Sequence, residues 1–476
     1  MIPLLINGEG ITTGQVVANI NPSNTADVID EAAQADPHHV QMAIASARAA
    51  APGWAMAGPV ERHRVLAKTA QGLQERAAEL GHLLAREEGK TRAEAIAEVE
   101  RAAHIFAFFA GEALRLGGET GASMRPGVGV EVTPEPLGVV ALITPWNYPM
   151  AIPAWKIAPA LCYGNTVILK PAELVPSCAA ALIDAINAAG APAGVVNLVM
   201  GAGRVVGAAL VDSPAVDGLS FTGSQATGQA IAVAAAKSLK RVQLEMGGSN
   251  PLVVLDDCDL ELAVTCAVDG SFYSTGQRCT ASRRLIVTDG VYSRFVERVA
   301  ERVRALRVDD ALKAGTEIGP VVSDEQLEQN LQALETARRE GGSVRAGGER
   351  LTRATPGHYM QPALVTDTTP EMTLNREEVF GPIASVLRAR DYDEALKLAN
   401  DTPFGLTAGV CTQSLARSTH FKRHAQAGMV MVNLPTAGVD VHVPFGGRKA
   451  SSYGPREQGE YARTFYTIMK TAYTRA

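Results

Sequence analysis

Residues 166–248 read "TVILKPAELVPSCAAALIDAINAAGAPAGVVNLVMGAGRVVGAALVDSPAVDGLSFTGSQATGQAIAVAAAKSLKRVQLEMGG", and the rhythm of this stretch decides the fold. Short, nearly continuous apolar runs ("TVILK", "GVVNLVM", "GLSFTG", "RVQLE") alternate with helical segments near Ser177 to Ala189, near Val205 and near Gln225 to Ser238. Strands that are apolar on both faces and separated by helices belong to a parallel sheet covered on both sides. Such sheets bind ligands at the carboxyl ends of their strands, where the loops gather. The alternation restarts with "NPLVVLD", with "RRLIV" before "VYSRFVERVAERVRAL", and with "ASVLRA" before "YDEALKLAN". A second α/β domain is therefore expected to begin near Gly248. Upstream, Pro59 to about Leu116 is rich in Ala, Leu, Glu and Arg with apolar residues three and four apart, the pattern of amphipathic helices. "VEVTPEPLGVVALITPWNYP" then reads as an alternating, exposed strand, a turn and a buried strand.

Bulk composition bounds the function. A chain of 476 residues, 46% hydrophobic and 20% charged, is too long for one core, so two or three domains are expected. Its net charge of -6, from 50 acids and 44 bases spread along the chain, leaves no basic stripe for nucleic acid. No apolar run is long enough to cross a bilayer, and "MIPLLINGEGITTG" lacks the features of a signal peptide, so a cytoplasmic protein with no membrane partner is expected. The six cysteines form no CxxC pair and none falls near a histidine at metal-ligand spacing, which disfavours disulfides and a metal site. Cys279, in "STGQRCTASRR", stands among small and polar residues and keeps two readings: buried thiol or nucleophile.

The loops between strands and helices carry the remaining signals, each with a plain alternative. The dinucleotide fingerprint GxGxxG is missing, and "GAGRVVG" has one residue too many. In "SFTGSQATGQ", Gly223 allows close backbone approach and Ser224 stands where a helix N-terminus favours an anion; an N-capped turn explains the residues equally well. In "VILKPAELVP", Lys170 and Glu173 at a strand end suit a ribose or form a surface ion pair. In "QLEMGGSNP", Glu245 closes an apolar strand, where burial would raise its pKa toward the range of a general base, unless the strand simply ends in solvent.

"TPWNYP", "KPAE", "FTGS", "LEMGG", "GQRCTA", "EEVFGP" and "PFGGRKASSYGPREQG" occur in the order and approximate spacing of the NAD(P)-dependent aldehyde dehydrogenase superfamily, which the chain resembles over essentially its whole length. The resemblance implies that Cys279 is the nucleophile, that Asn147 is the oxyanion donor together with the Cys279 amide, and that Glu245 is the general base. It places Lys170 and Glu173 on the adenosine ribose, Ser224 on the pyrophosphate, and Glu378 with Phe380 on the nicotinamide riboside. Trp146, Lys156 and Gly223 would line the same cleft. The cofactor is NAD or NADP, and Glu173 favours NAD because a carboxylate repels a 2′-phosphate. Two departures, Met246 and Ser451 to Gly454, are expected to touch no residue with a chemical role.

"NLPTAGVDVHVPFGGRKASSYGPREQG" followed by "FYTIMKTAY" resembles the dehydrogenases of α-ketoglutaric semialdehyde (2,5-dioxopentanoate). The carboxylate of such an ω-oxo acid needs an anchor, for which Arg278, Thr436 and His442 are the candidates. CoA-acylating relatives commonly lack the glutamate, so Glu245 argues against that chemistry, and the retained Cys279 argues against a silent binding protein. The resemblance also implies a Rossmann-type cofactor domain (1–116 and 137–247), an α/β catalytic domain (248–447), and a small β oligomerisation arm with the C-terminal segment (117–136 and 448–476). A homodimer or homotetramer is expected from the projecting arm.

Overall fold

The computed structural model describes residues 1–475. Its first sheet has eight strands in the order Ser452–Tyr453, Arg241–Glu245, Gly218–Thr222, Val139–Ile143, Thr166–Lys170, Val196–Leu198, Leu4–Ile6 and Glu9–Ile11. The five from Arg241–Glu245 to Val196–Leu198 are parallel. Taken in chain order from Val139, they lie 3-2-1-4-5, so strand order reverses between Val139–Ile143 and Gly218–Thr222, and a crevice opens at their carboxyl ends. The second sheet has seven strands in the order Ser343–Ala346, Ala363–Thr366, Ile383–Ala389, Ser282–Thr288, Asn250–Val254, Thr407–Cys411 and Met429–Val432. Only Ser343–Ala346 runs antiparallel to its neighbour.

Both sheets are buried for the reason the sequence suggests. Strands Thr166–Lys170, Gly218–Thr222, Asn250–Val254 and Ser282–Thr288 are buried at every position, because helices cover both faces. The helices Pro59–Glu75, Ala77–Glu88 and Arg92–Ala113 follow the expected amphipathic run. The last starts with a capping box, Thr91 with Glu94. An earlier helix, Pro37–Met56, is an addition to the sequence reading; its start is set by Asp36, which caps the His39 amide. Near Val205 the chain forms a π-helical turn, Gly203–Gly207, running into the short helix Ala208–Asp212.

A three-stranded antiparallel sheet stands apart, made of Glu119–Ala122, Val128–Pro136 and Thr467–Arg475, with Lys470 ion-paired to Glu135. It leaves Ile468, Met469 and Tyr473 exposed. Residues 448–466 do not join it: Ser452–Tyr453 extends the first sheet beside Arg241–Glu245.

Leu142 is fully buried in the strand next to the crevice. Leu142→Ala is expected to cost about 2–5 kcal/mol in unfolding free energy, transfer and cavity terms together. Chemical denaturation measures it; a loss under about 1 kcal/mol would contradict this packing.

Candidate active site

Cys279 is set by a strained turn. After the helix Leu260–Phe272 the chain passes through Ser274 (φ 51°), Thr275 (φ 54°) and Gly276 (φ 63°), all left-handed. For the two residues with a Cβ this costs roughly 1–2 kcal/mol each, so the turn persists only if its surroundings hold it. Glu94 accepts from the Ser274 amide at 2.7 Å, Thr275 donates to Gly319 O at 3.2 Å, and the Val322 amide donates to Gln277 Oε1 at 3.0 Å. The buried Arg283 guanidinium donates to the carbonyls of Gly276 and Gly381. Asn250 Nδ2 donates to Cys279 O at 2.8 Å and to Ala281 O at 2.9 Å. Cys279 thus lies half-buried at the amino end of the strand Ser282–Thr288. The carboxyl edge of the first sheet faces it, so the two sheets meet by opposite edges rather than each by its carboxyl end.

Asn147 follows the strand Val139–Ile143 and donates from Nδ2 to Gln277 O at 2.9 Å. An amide NH2 has two N–H groups, so one is left for an oxygen beside Cys279. The buried Lys90 ammonium donates to Asn147 O at 2.8 Å and to Glu98 Oε2 at 2.6 Å, and stands 3.8 Å over the Tyr148 ring. Glu98 also accepts from the amides of Met150 and Ala151, at 2.9 and 3.1 Å. Burial lifts the neighbouring Glu88 carboxyl to about 8, with Lys90 pulling the other way.

Glu245, the last residue of its strand, is fully buried. Burial pushes its pKa well up, reinforced by Glu457 and opposed by the Ser452 hydrogen bond and by Lys156 and Arg456. Ser452 Oγ donates to Glu245 Oε2 at 2.5 Å. Burial likewise pushes the Cys279 thiol up to about 12, helped by the charges of Glu378 and then Glu245.

Beside these groups lies a cleft of about 760 Å³ walled in part by Trp146, Asn147, Gly223, Ser224, Cys279, Glu378 and Phe380. Trp146 and Phe380 meet edge to face at 5.4 Å. Glu378 accepts from the Gly248 amide at 2.9 Å, and a Cβ on Gly247 would fall 1.8 Å from its Oε2, so only glycine leaves room for that carboxylate. Ser224 caps the helix Gln225–Ala236 and is exposed to the cleft. Lys170 is buried and donates to Pro171 O at 2.8 Å; Glu173 is exposed and accepts from the Gly203 amide at 3.3 Å.

Several expectations need correction. Lys156 does not line the cleft: it is fully buried behind the sheet, ion-paired to Glu457 and donating to Ser220 Oγ at 2.8 Å. Arg278 turns away from the cleft and donates to the carbonyls of Asp269 and Gly270 at the end of the preceding helix. Thr436 is fully buried, donating to Thr280 O at 2.7 Å and bonded to Ser282 Oγ, so it braces the cysteine turn. His442 lies in a separate surface groove with Glu112, Arg115 and Tyr461. The departures at 451–454 do touch the chemistry, since Ser452 holds Glu245 and Ser451 donates to Gly247 O at 2.8 Å. Asn250, Arg283, Lys90, Glu94 and Glu98 escape a reading of the sequence. Of these only Asn250 had a local signal, an amide in the loop just after Glu245.

A cysteine and an amide thus wall a cleft of dinucleotide size at a strand-order reversal, the arrangement of a nucleotide-dependent enzyme, with a buried carboxylate near them. Residues 11–472 match the aldehyde dehydrogenase family. α-Ketoglutaric semialdehyde dehydrogenase of Bacillus subtilis is 41% identical over 99% of this chain and 97% of its own. Betaine aldehyde dehydrogenase of Cereibacter sphaeroides is 41% identical over 97% and 94%. Among solved structures, betaine aldehyde dehydrogenase of Staphylococcus aureus in complex with NAD+ superposes with a TM-score of 0.97 at 32% identity, covering 100% of this chain and 95% of that one. An Escherichia coli NADP dependent enzyme gives a TM-score of 0.96 at 35% identity, covering 100% and 98%. The chain belongs to the aldehyde dehydrogenase family. It is an NAD(P)-dependent aldehyde oxidoreductase.

With the thiol raised to about 12, iodoacetamide should label Cys279 of the cofactor-free protein about tenfold faster per pH unit from 7 to 10, because only the thiolate reacts. Glu378→Gln removes the carboxylate with the larger effect on the thiol and should speed labelling at fixed pH. A plateau below pH 9 would show that the thiol is not raised.

Proposed function

We propose that the protein oxidises an ω-oxo acid, α-ketoglutaric semialdehyde or a close analogue, to the dicarboxylic acid by a hydrolytic route. The observation that carries the chemistry is that Cys279 and Asn147, brought by two different sheets, wall one cleft, with the buried Glu245 near enough for its charge to act on the Cys279 thiol. Cys279 loses its Sγ proton to solvent and, as the thiolate, attacks the aldehyde carbon to give a thiohemiacetal. The free Asn147 N–H and the Cys279 amide steady its oxyanion, a contribution of roughly 2.7–4 kcal/mol for one such donor. Bound NAD(P)+ supplies the hydride acceptor. Loss of hydride leaves a thioester on Cys279. Glu245, a carboxyl whose pKa burial raises, takes a proton from water as the water attacks the thioester, which releases the carboxylic acid and the Cys279 thiolate. In the cofactor-free geometry its carboxylate is held by Ser452, so it must turn or work through an intervening water.

The cleft suits a dinucleotide: Ser224 at a helix N-terminus suits the pyrophosphate and Glu378 in the wall suits one ribose, while Glu173, exposed outside that wall, would take the other. Glu173 favours NAD over NADP, and Lys170 beside it softens the choice. The substrate reading is supported by full-length relatives named for α-ketoglutaric semialdehyde or 2,5-dioxopentanoate in Bacillus subtilis, Haloferax volcanii and Saccharolobus solfataricus. Relatives named for betaine aldehyde are as close, which makes a cationic aldehyde the second reading. The exposed apolar residues of the three-stranded arm fit a homodimer or homotetramer, and no helix among the described residues is long and apolar enough to cross a membrane, which is compatible with a cytoplasmic enzyme.

Cys279→Ala should abolish NAD(P)H formation, and Asn147→Ala should lower kcat about 10²- to 10³-fold. Glu245→Gln should give a burst of about one NAD(P)H per active site and then stall, because acylation outruns hydrolysis. Full steady turnover by Glu245→Gln without CoA would overturn the role given to Glu245.

A further inference from the structure

We propose that Arg101 is the specificity-determining residue that receives the far carboxylate of the substrate, an inference that rests on the ω-oxo acid reading above. The residues first expected to do this are spent or misplaced: Arg278 on helix-end carbonyls, Thr436 on the cysteine turn, His442 in another groove. Arg101 is placed differently. It lies on the helix Arg92–Ala113, on the face that also carries Glu94 and Glu98 at helical spacing. Glu94 bonds the turn leading to Cys279, and Glu98 holds the two amides just past Asn147 as well as Lys90. That face therefore looks along the catalytic groups. Two turns of helix, about 10 Å along the axis, separate Glu94 from Arg101, a gap that an arginine side chain and a short ω-oxo acid span together.

Two loops flank the guanidinium. Tyr148, next to the oxyanion donor Asn147, is one neighbour; Asp440 is another, in the loop whose Thr436 bonds Thr280 O beside the nucleophile. Arg101 is absent from the walls of the 760 Å³ cleft. With a dinucleotide in that cleft the aldehyde would reach Cys279 from another side, and Arg101, near the loops of Tyr148 and Asp440, is placed to meet it there.

The guanidinium is partly buried and has no hydrogen-bond or ion-pair partner among the described residues. Other inward-facing arginines are committed: Arg62, Arg278, Arg283 and Arg284 all donate to backbone carbonyls. Burial lowers the Arg101 pKa, and Tyr148, Glu98 and Asp440 oppose that shift. Glu98 is already engaged by Lys90 and two amides, and Asp440 is exposed. A planar fork of donors without a partner suits a carboxylate in bidentate contact, and it repels the quaternary ammonium of a betaine-type aldehyde.

The test compares kcat/KM for 2,5-dioxopentanoate with that for pentanal, an aldehyde of equal length without the carboxylate, in the wild type, Arg101→Met and Arg101→Lys. The wild type should prefer the oxo acid. Arg101→Met should cut that ratio about 10- to 100-fold, the scale of a lost charge-assisted contact, mainly through KM, and Arg101→Lys should restore part of it. General damage to the fold would lower both substrates and leave the ratio in place, which would overturn the assignment, as would an unchanged ratio in Arg101→Met. A wild type with no preference for the oxo acid would instead overturn the substrate reading and the role of Arg101 with it. Should Arg101→Met prove insoluble, Arg101→Gln, which keeps a planar donor without the charge, must show the same fall in ratio.

Discussion

One buried hydrogen bond, from Asn147 Nδ2 to Gln277 O at 2.9 Å, joins the two halves of the reaction centre. Asn147 belongs to the first sheet and Gln277 to the turn that enters the second, so neither sheet alone builds the site. The bond sets the Asn147 amide relative to Cys279, two residues past its acceptor, the groups proposed above as oxyanion donor and nucleophile. That spacing tolerates little error, because donors that stabilise a transition state must point where charge will develop. Much of the surrounding polar structure serves this contact. Lys90 fixes Asn147 from behind, while Asn250, Arg283 and Glu94 fix the turn that carries Gln277 and Cys279.

Opposite edges of the two sheets meet here for a chemical reason. The carboxyl edge of a parallel sheet offers loops and helix N-termini that suit an anionic cofactor. A nucleophile must reach the same cleft from outside that edge. Presenting Cys279 from the amino end of a strand allows this, at the cost of the left-handed turn at Ser274 and Thr275. The strain is concentrated next to the reacting atom, where backbone strain commonly resides.

Strands and helices were legible because their signal is local. "TVILK" and "GLSFTG" read as buried parallel strands and are so. Within the site, legibility tracked the backbone more than the side chain. Glu245, closing an apolar strand, could be recognised as a costly carboxylate, and the structure shows it buried. The position of Arg278 beside Cys279 misled, because adjacent residues point apart and the arginine follows its helix end rather than the thiol. Lys156 read as a cleft residue only through the family resemblance, and its side chain reaches the other way to Glu457. The partners of Glu245 and Asn147 were illegible since Ser452 and Gln277 are distant in sequence, and no periodicity encodes a contact of that range.

The site also concentrates buried charge, which argues that stability here is subordinate to geometry. Lys90 with Glu98 and Lys156 with Glu457 are essentially fully buried pairs, and Glu88 and Glu245 are buried carboxyls with raised pKa values. Replacing such pairs by well-packed apolar groups is often neutral or stabilising by about 1–4 kcal/mol. Apolar replacements could not hold Asn147 through its carbonyl or oppose the rise in the Glu245 pKa. The two lysines differ in how they act. Lys90 bonds the oxyanion residue directly, whereas Lys156 reaches the site only through the field it exerts on Glu245 and through Glu457. A neutral isostere at 156 would keep the packing and further raise the Glu245 pKa, while one at 90 would loosen the position of a donor. Field and position are separable here because Lys90 touches Asn147, whereas Lys156 bonds Ser220 and Glu457 and touches neither Asn147 nor Cys279.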